Sequence, residues 1–325
     1  MVLRFKAIKT IAPKQFSGRN DIKSVFIPNT VTSIGENAFM DCQYLDNVSI
    51  PNSVTSIGDG AFCGCYRLTK VNIPDSVTSI GDGAFCDCLI LPEVEIPKSV
   101  TSLGDDMFAG CQYLTRVNIN ASANRIGERA FQCCYRLQEV NISNSVKIID
   151  YWAFCECHEL KVLSIPNSVT RIEDKAFDSS GLTSLHIPDS VTYIGPQAFT
   201  KCRQLTKVRL PQKINIINSF TFSYCNSLTD IVIPESVQDI EEGTFYECSS
   251  LTSIIIPESV HNIAKDVFIG CSSLQVITFN GLTKIENAGV FEGCTSLEAI
   301  KVPYQYWSHY AYMLPDELLD ILIGY

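Results

Sequence analysis

The residues best able to do chemistry in this 325-residue chain are its fifteen cysteines and four histidines. Eleven of the cysteines stand three residues after a phenylalanine: Cys42, Cys65, Cys88, Cys111, Cys134, Cys157, Cys202, Cys225, Cys248, Cys271 and Cys294, with Ser180 in the same slot once. A slot filled this way calls for a small, weakly polar, buried side chain, so these cysteines read as a reduced ladder inside the core. Two other readings use the same sulfurs. Neighbouring rungs fall within the Cα separation of a disulfide, although Ser180 interrupts the series and an odd total leaves one thiol unpaired within the chain. Cys63-Gly64-Cys65 and Cys86-Asp87-Cys88 would put four sulfurs on adjacent layers, the number a tetrahedral zinc requires, but the members of each pair should point in opposite directions. No metal ligand is assigned.

The histidines do not converge. His158 belongs to a turn, His186 to a strand, His261 to a return segment and His309 to the carboxy-terminal stretch. Sitting in different repeats and registers, they form no pair of the kind that acid–base or nucleophilic catalysis needs. No phosphate-binding loop and no HExxH is present. The expectation is a chain that is not an enzyme, with no catalytic residue and no cofactor. Acids form a second series at Glu36, Asp59, Asp82, Asp105 and Glu128. Each is placed to favour the positive end of its own short helical turn; a calcium ion relieving their mutual repulsion is the alternative.

The elements that hold these residues come from a period. Phenylalanine recurs thirteen times, from Phe16 to Phe291, in steps of 23 residues broken once by the 22 from Phe177 to Phe199. A fixed period of this length means stacked supersecondary units, each burying its neighbour's apolar faces. In Leu68-Thr-Lys-Val71-Asn-Ile73-Pro74 the alternation is that of a strand, with Lys70 and Asn72 turned outward, and Pro74 ends it for lack of an N–H. Val77 and Ile80 point back inward from the return segment. Gly81-Asp82-Gly83-Ala84-Phe85 reads as a tight turn into about one helical turn. The strand slot recurs twelve times, from Val48/Ile50 to Ile300/Val302. The expected fold is a solenoid with a curved parallel sheet, mainly β, with short convex turns and one-turn helices. Residues 1–21 read as an amino-terminal capping half-repeat and 22–303 as about twelve repeats. Residues 304–325 read as an aromatic and helical cap, with a short amphipathic helix opening at Pro315.

Composition limits the partners. A hydrophobic content of 46% supports a continuous core, and a net charge of -10 argues against a broad nucleic-acid or anionic-membrane surface. The amino terminus places Arg4, Lys6 and Lys9 among apolar residues and lacks the apolar core of a cleavable signal. No run approaches the roughly eighteen apolar residues of a membrane helix. By sequence the chain reads as cytoplasmic, with no membrane insertion.

The pattern L-x-x-V-x-I-P-x-S-V-x-x-I-G-x-x-A-F-x-x-C, present in about a dozen copies between residues 5 and 303, resembles the BspA-type leucine-rich repeats. The resemblance implies a leucine-rich-repeat solenoid, a place at the cell surface, and adhesion to host or matrix proteins; it implies no catalytic residues. Function is then sought on the outward strand positions, where the fold sets geometry and leaves chemistry free. Val232, Ile255 and Val276 could form an apolar strip beside Lys207 and Arg209, with Asp230 and Ser253 between them, and apolar patches rimmed by charge are typical of protein-binding sites. The first expectation is a protein-binding module that uses the concave sheet face. The second is a structural solenoid, monomeric or weakly self-associating through its aromatic cap.

Overall fold

Each 23-residue repeat folds as one turn of a parallel β-solenoid, and the chain makes about fourteen such turns. The structure, a computed structural model, describes residues 1–5 and 8–325; Lys6 of the basic amino-terminal residues lies outside them. The chain divides into two units, Met1–Val169 and Thr170–Tyr325, each built on the same plan.

The strand Lys70–Asn72 follows the expected alternation, exposed, buried, exposed, and lies parallel to Asn47–Ser49 with Val48 beside Val71. In the second unit Ser253–Ile256 pairs with Val276–Phe279 in the same 23-residue register. Equal repeat lengths make this pairing automatic, because each residue lands beside its counterpart one turn away. A second set of strands, not anticipated from the pattern, runs along the return segments. Ser33–Ile34, Ser56–Ile57 and Ser79–Ile80 pair in parallel in the first unit, and Asp239–Ile240 pairs with Asn262–Ile263 in the second. Each is two residues long, too short for a periodicity argument to detect. One expected strand is missing: Leu163 and Ile165 are buried, but their segment is not a strand.

The phenylalanine-bearing turns differ from the expected helical turn. A one-turn 3-10 helix forms at Ala288–Phe291, whereas the type unit around Phe85 has none. There, N–H groups alternate in direction. Those of Gly60, Phe62 and Gly64 donate to Asp82, Ala84 and Cys86 of the next turn, at 2.8, 2.8 and 2.9 Å. Those of Ala61, Cys63 and Cys65 close the turn on Gly58, Gly60 and Phe62. Alternation needs left-handed backbone at two places per turn, seen at Gly60 and Gly64 and again at Gly83 and Asp87. A helix would direct every N–H within its own turn and leave the neighbouring turn's buried carbonyls unmatched. The acids change role with it. Asp59, Asp82 and Asp105 do not cap their own turns; each accepts the N–H of the next acid along, Asp82, Asp105 and Glu128, at 3.0, 2.8 and 2.9 Å.

The core is a column of rings. In the first unit Phe39 to Phe154 stack with centroids 5.3 to 5.8 Å apart and planes within 10°. In the second, Phe177 to Phe291 stack at 5.4 to 6.0 Å, within 9°. Beneath them the cysteines do more than fill space. Cys65 Sγ donates to the Phe39 carbonyl at 3.3 Å and Cys88 Sγ to that of Phe62 at 3.4 Å. The same bond recurs in the second unit, as from Cys225 to Phe199 at 3.3 Å. Ser180 keeps the polarity of the slot through its contact with Cys202 Sγ at 3.3 Å. Burial pushes these thiols up, to about 12 for Cys202, so they remain protonated donors at neutral pH.

At the start, Val2–Arg4 pairs with Ser24–Phe26. At the other end the aromatic stretch, not Pro315, opens the α-helix, which spans Trp307–Met313. Asp316–Ile321 is a 3-10 helix, and Leu322–Gly324 then adds a strand beside Ala299–Val302. Tyr310 anchors this end: its ring is fully buried, and its hydroxyl accepts from Thr283 N–H at 3.0 Å and donates to the Gly281 carbonyl at 2.9 Å. No helix among the described residues is long and apolar enough to cross a membrane.

Phe108→Ala removes a fully buried ring from mid-column and leaves a void that both stacked neighbours must border. Urea unfolding is expected to show a loss of about 3–5 kcal/mol.

Candidate functional site

The candidate residues all lie in the second unit and arrange themselves in two columns. Lys207–Arg209 pairs with Asp230–Ile231, which sets Lys207 beside Asp230. Ser253 lies beside Val276, and Ile255 beside Thr278. By the same period Lys207, Asp230, Ser253 and Val276 form one column, and Arg209, Val232, Ile255 and Thr278 the other. Val276 is therefore not an extension of the Val232–Ile255 strip but sits diagonally across from it, half-buried. The apolar strip is two residues long, with Val232 71% and Ile255 57% exposed. Their backbone neighbours Ile231, Ile233, Ile254 and Ile256 are buried, so the strand alternation itself drives these two side chains into solvent. Ala299, which by the 23-residue period continues the column of Val276, is buried. Its strand gains the carboxy-terminal Leu322–Gly324 as a neighbour.

Arg209 is not a free cation. One guanidinium nitrogen meets His186 Nε2 at 2.8 Å, and the other donates to Asp189 Oδ2 at 3.1 Å. A guanidinium can only donate, so Nε2 is the acceptor in this contact. Asp189 also accepts the Gln212 N–H at 3.1 Å. The Arg209 hydrogen bond, with help from Gln212, holds the Asp189 carboxyl below the usual aspartate value. Sequence reading placed His186 on this strand face but missed Asp189. It lies in the bend after the strand, three residues beyond His186, where strand periodicity has nothing to say.

The remaining chemistry-bearing residues sit in structural roles. His158 stacks on Tyr135 with centroids 5.3 Å apart, and His309 meets Tyr310 edge-on at 5.9 Å. Among the described residues no cluster of three or more His, Cys, Asp or Glu could hold a metal ion. In the acid series, Arg125 bridges Asp105 and Asp150, at 2.6 Å to each, and Arg129 pairs with Asp106 and Glu128. Guanidinium groups thus supply positive charge at the end of the series where calcium was an alternative.

The model of the BspA type Leucine rich repeat region matches residues 9–134, 78–206 and 192–314. Among solved structures, the chain is similar to a leucine-rich repeat protein from Bacteroides ovatus ATCC 8483. The identity is 31%, over 100% of this chain and 92% of that one, with a TM-score of 0.82. It is also similar to a leucine-rich repeat protein from Eubacterium ventriosum ATCC 27560, at 25% identity over 85% of this chain and 83% of that one, with a TM-score of 0.57. No curated protein matches the sequence.

A carboxyl whose folded value is depressed stabilises above its unfolded value, and that contribution disappears as the pH falls through the folded value. An NMR titration of Asp189 is expected to give a midpoint below that of an ordinary aspartate. In Arg209→Met the midpoint should rise, with the Gln212 N–H retaining part of the depression.

Proposed function

Because this chain belongs to the BspA-type leucine-rich repeat proteins, which are commonly protein-interaction or surface proteins, we propose that it is a non-enzymatic protein-binding module. It engages its ligand through the outward face of the strands between Lys207 and Val276. The observation that carries this reading is the pair Val232, just past the strand Asp230–Ile231, and Ile255, within the strand Ser253–Ile256, 71% and 57% exposed on successive turns, with Lys207 and the Arg209–Asp189 pair on the same face. Isolated apolar residues on a surface are ordinary; two in register beside fixed charges make a small desolvatable centre with a polar rim. The ligand that suits it is a protein presenting an apolar side chain within a rim of mixed charge, since Arg209 is paired with Asp189 and Lys207 lies beside Asp230. The family likeness supports a surface setting and a host or matrix protein as the class of ligand.

A structural role has its own observation. Tyr304 and Tyr312 at the carboxy-terminal end are 81% and 93% exposed, and aromatics of this kind favour contact between copies. Removing residues 304–325 would also strip the buried Tyr310 and a paired strand, so the cleaner probe is Tyr304→Ser with Tyr312→Ser. Light scattering that shows an oligomer in the native chain and a monomer in this variant would favour the structural role.

For the binding role, Val232→Asp combined with Ile255→Asp is expected to weaken binding to immobilised matrix proteins at least tenfold. Both positions are exposed, so the circular dichroism melt should stay nearly unchanged. Full binding by the folded double variant would remove this face from consideration.

A further inference from the structure

Cys63 and Cys86 occupy the same position of two successive turns, immediately after Phe62 and Phe85. The backbones around them are in register, with Phe62 N–H on the Ala84 carbonyl at 2.8 Å and Gly64 N–H on that of Cys86 at 2.9 Å. The preceding rings lie 5.4 Å apart. Equivalent Cα atoms one strand spacing apart fall inside the disulfide window of roughly 4.4–6.8 Å. Both side chains project from equivalent positions of adjacent turns, on the same side of the stack, and hydrogen bonding from Cys86 acts on Cys63.

Their neighbours in sequence are in a different state. Cys65 and Cys88 are fully buried and donate to the Phe39 and Phe62 carbonyls, and burial pushes both thiols well up. Cys63 and Cys86 are only partly buried. The bond from Cys86 holds the Cys63 thiol below its usual value, against burial and the carboxylates of Asp87, Asp41 and Asp106. That favours Cys63 as the attacking sulfur. The same column continues to Met40 on one side and Ala109 on the other, so no third thiol stands in register with the pair.

The geometry points to Cys63 and Cys86 as a redox-active dithiol that closes to an inter-turn disulfide by exchange with a small-molecule disulfide. Cys63 thiolate attacks one sulfur of the oxidant, breaks its S–S bond and expels one thiolate. Cys86 thiolate then attacks the Cys63 sulfur of the mixed disulfide and expels the second. Two protein thiols are oxidised, one disulfide is reduced to two thiols, and the two protons leave with them. The new bond ties together a 23-residue segment, which restricts the unfolded chain and should raise the melting temperature.

The test takes the full chain, reduced with a phosphine, desalted and equilibrated in graded ratios of oxidised to reduced glutathione. Free thiols are then alkylated without unfolding, and linked peptides are sequenced by fragmentation. The expected product is one intrachain Cys63–Cys86 disulfide, lighter than the reduced chain by two hydrogens, with a melting temperature several degrees higher. Cys63→Ser and Cys86→Ser should each lose the link and the rise, whereas Cys133→Ser should keep both. If a serine variant fails to fold, Cys63→Ala serves instead, since Ala109 fills the same position two turns on. No oxidation, stable glutathione adducts without closure, a Cys65–Cys88 link, or a link that survives in a Cys63 variant would each overturn the assignment.

Discussion

Hydrogen bonding between successive turns is the constraint on which the rest of this structure depends. A stacked turn has little water on either side, so its N–H and C=O groups must find partners in the turns above and below. The strands Lys70–Asn72 and Ser56–Ile57 do this in the usual way. The turn through Phe62 does it by alternating its N–H groups between the next turn and itself. Once the backbones are locked at one strand spacing, side chains at equivalent positions have no choice but to stack in columns.

Each column then follows a simple rule of chemistry. Rings can stack, so phenylalanine repeats at centroid distances near those of its own backbone spacing. A thiol beneath the ring fits the small space left and uses the second lone pair of a phenylalanine carbonyl already engaged by its own turn, as Cys88 does with Phe62. Thr55 and Thr78 repeat because each hydroxyl reaches the carbonyl of the threonine one turn earlier, at 3.2 Å. Like charges stack poorly. The acid column therefore spends its carboxylates on N–H groups and ends against Arg125, which lies between Asp105 and Asp150.

Only positions outside these columns are free to vary, and there the structure departs most from what periodicity alone can say. The outward side chains of the strands could be named from alternation, and Val232 and Ile255 are as exposed as that reading requires. Their arrangement into two columns, and the engagement of Arg209 by His186 and Asp189, depends on contacts twenty or more residues apart in sequence. The cysteines show the same division. Spacing from phenylalanine identified the core thiols, but that Cys65 and Cys88 are buried on phenylalanine carbonyls while Cys63 and Cys86 stay partly exposed is a matter of side-chain direction in neighbouring turns.

The amino-acid sequence by itself determined the period, the solenoid, the buried phenylalanine and cysteine slots and the family likeness, because each rests on local pattern repeated a dozen times. Tertiary structure alone decided how the phenylalanine-bearing turns are bonded, that the return segments pair, and how the carboxy-terminal end closes. A helical turn after Gly81 is a reasonable local choice, and it loses to the hydrogen-bonding demands of the next turn. After Pro315 a helix does form, as the 3-10 turn Asp316–Ile321, and it ends where Leu322–Gly324 pairs with Ala299–Val302. The physical reason in the first case is one of size: local propensity is worth tenths of a kcal/mol per residue, whereas an unmatched buried backbone group costs about 1–3 kcal/mol.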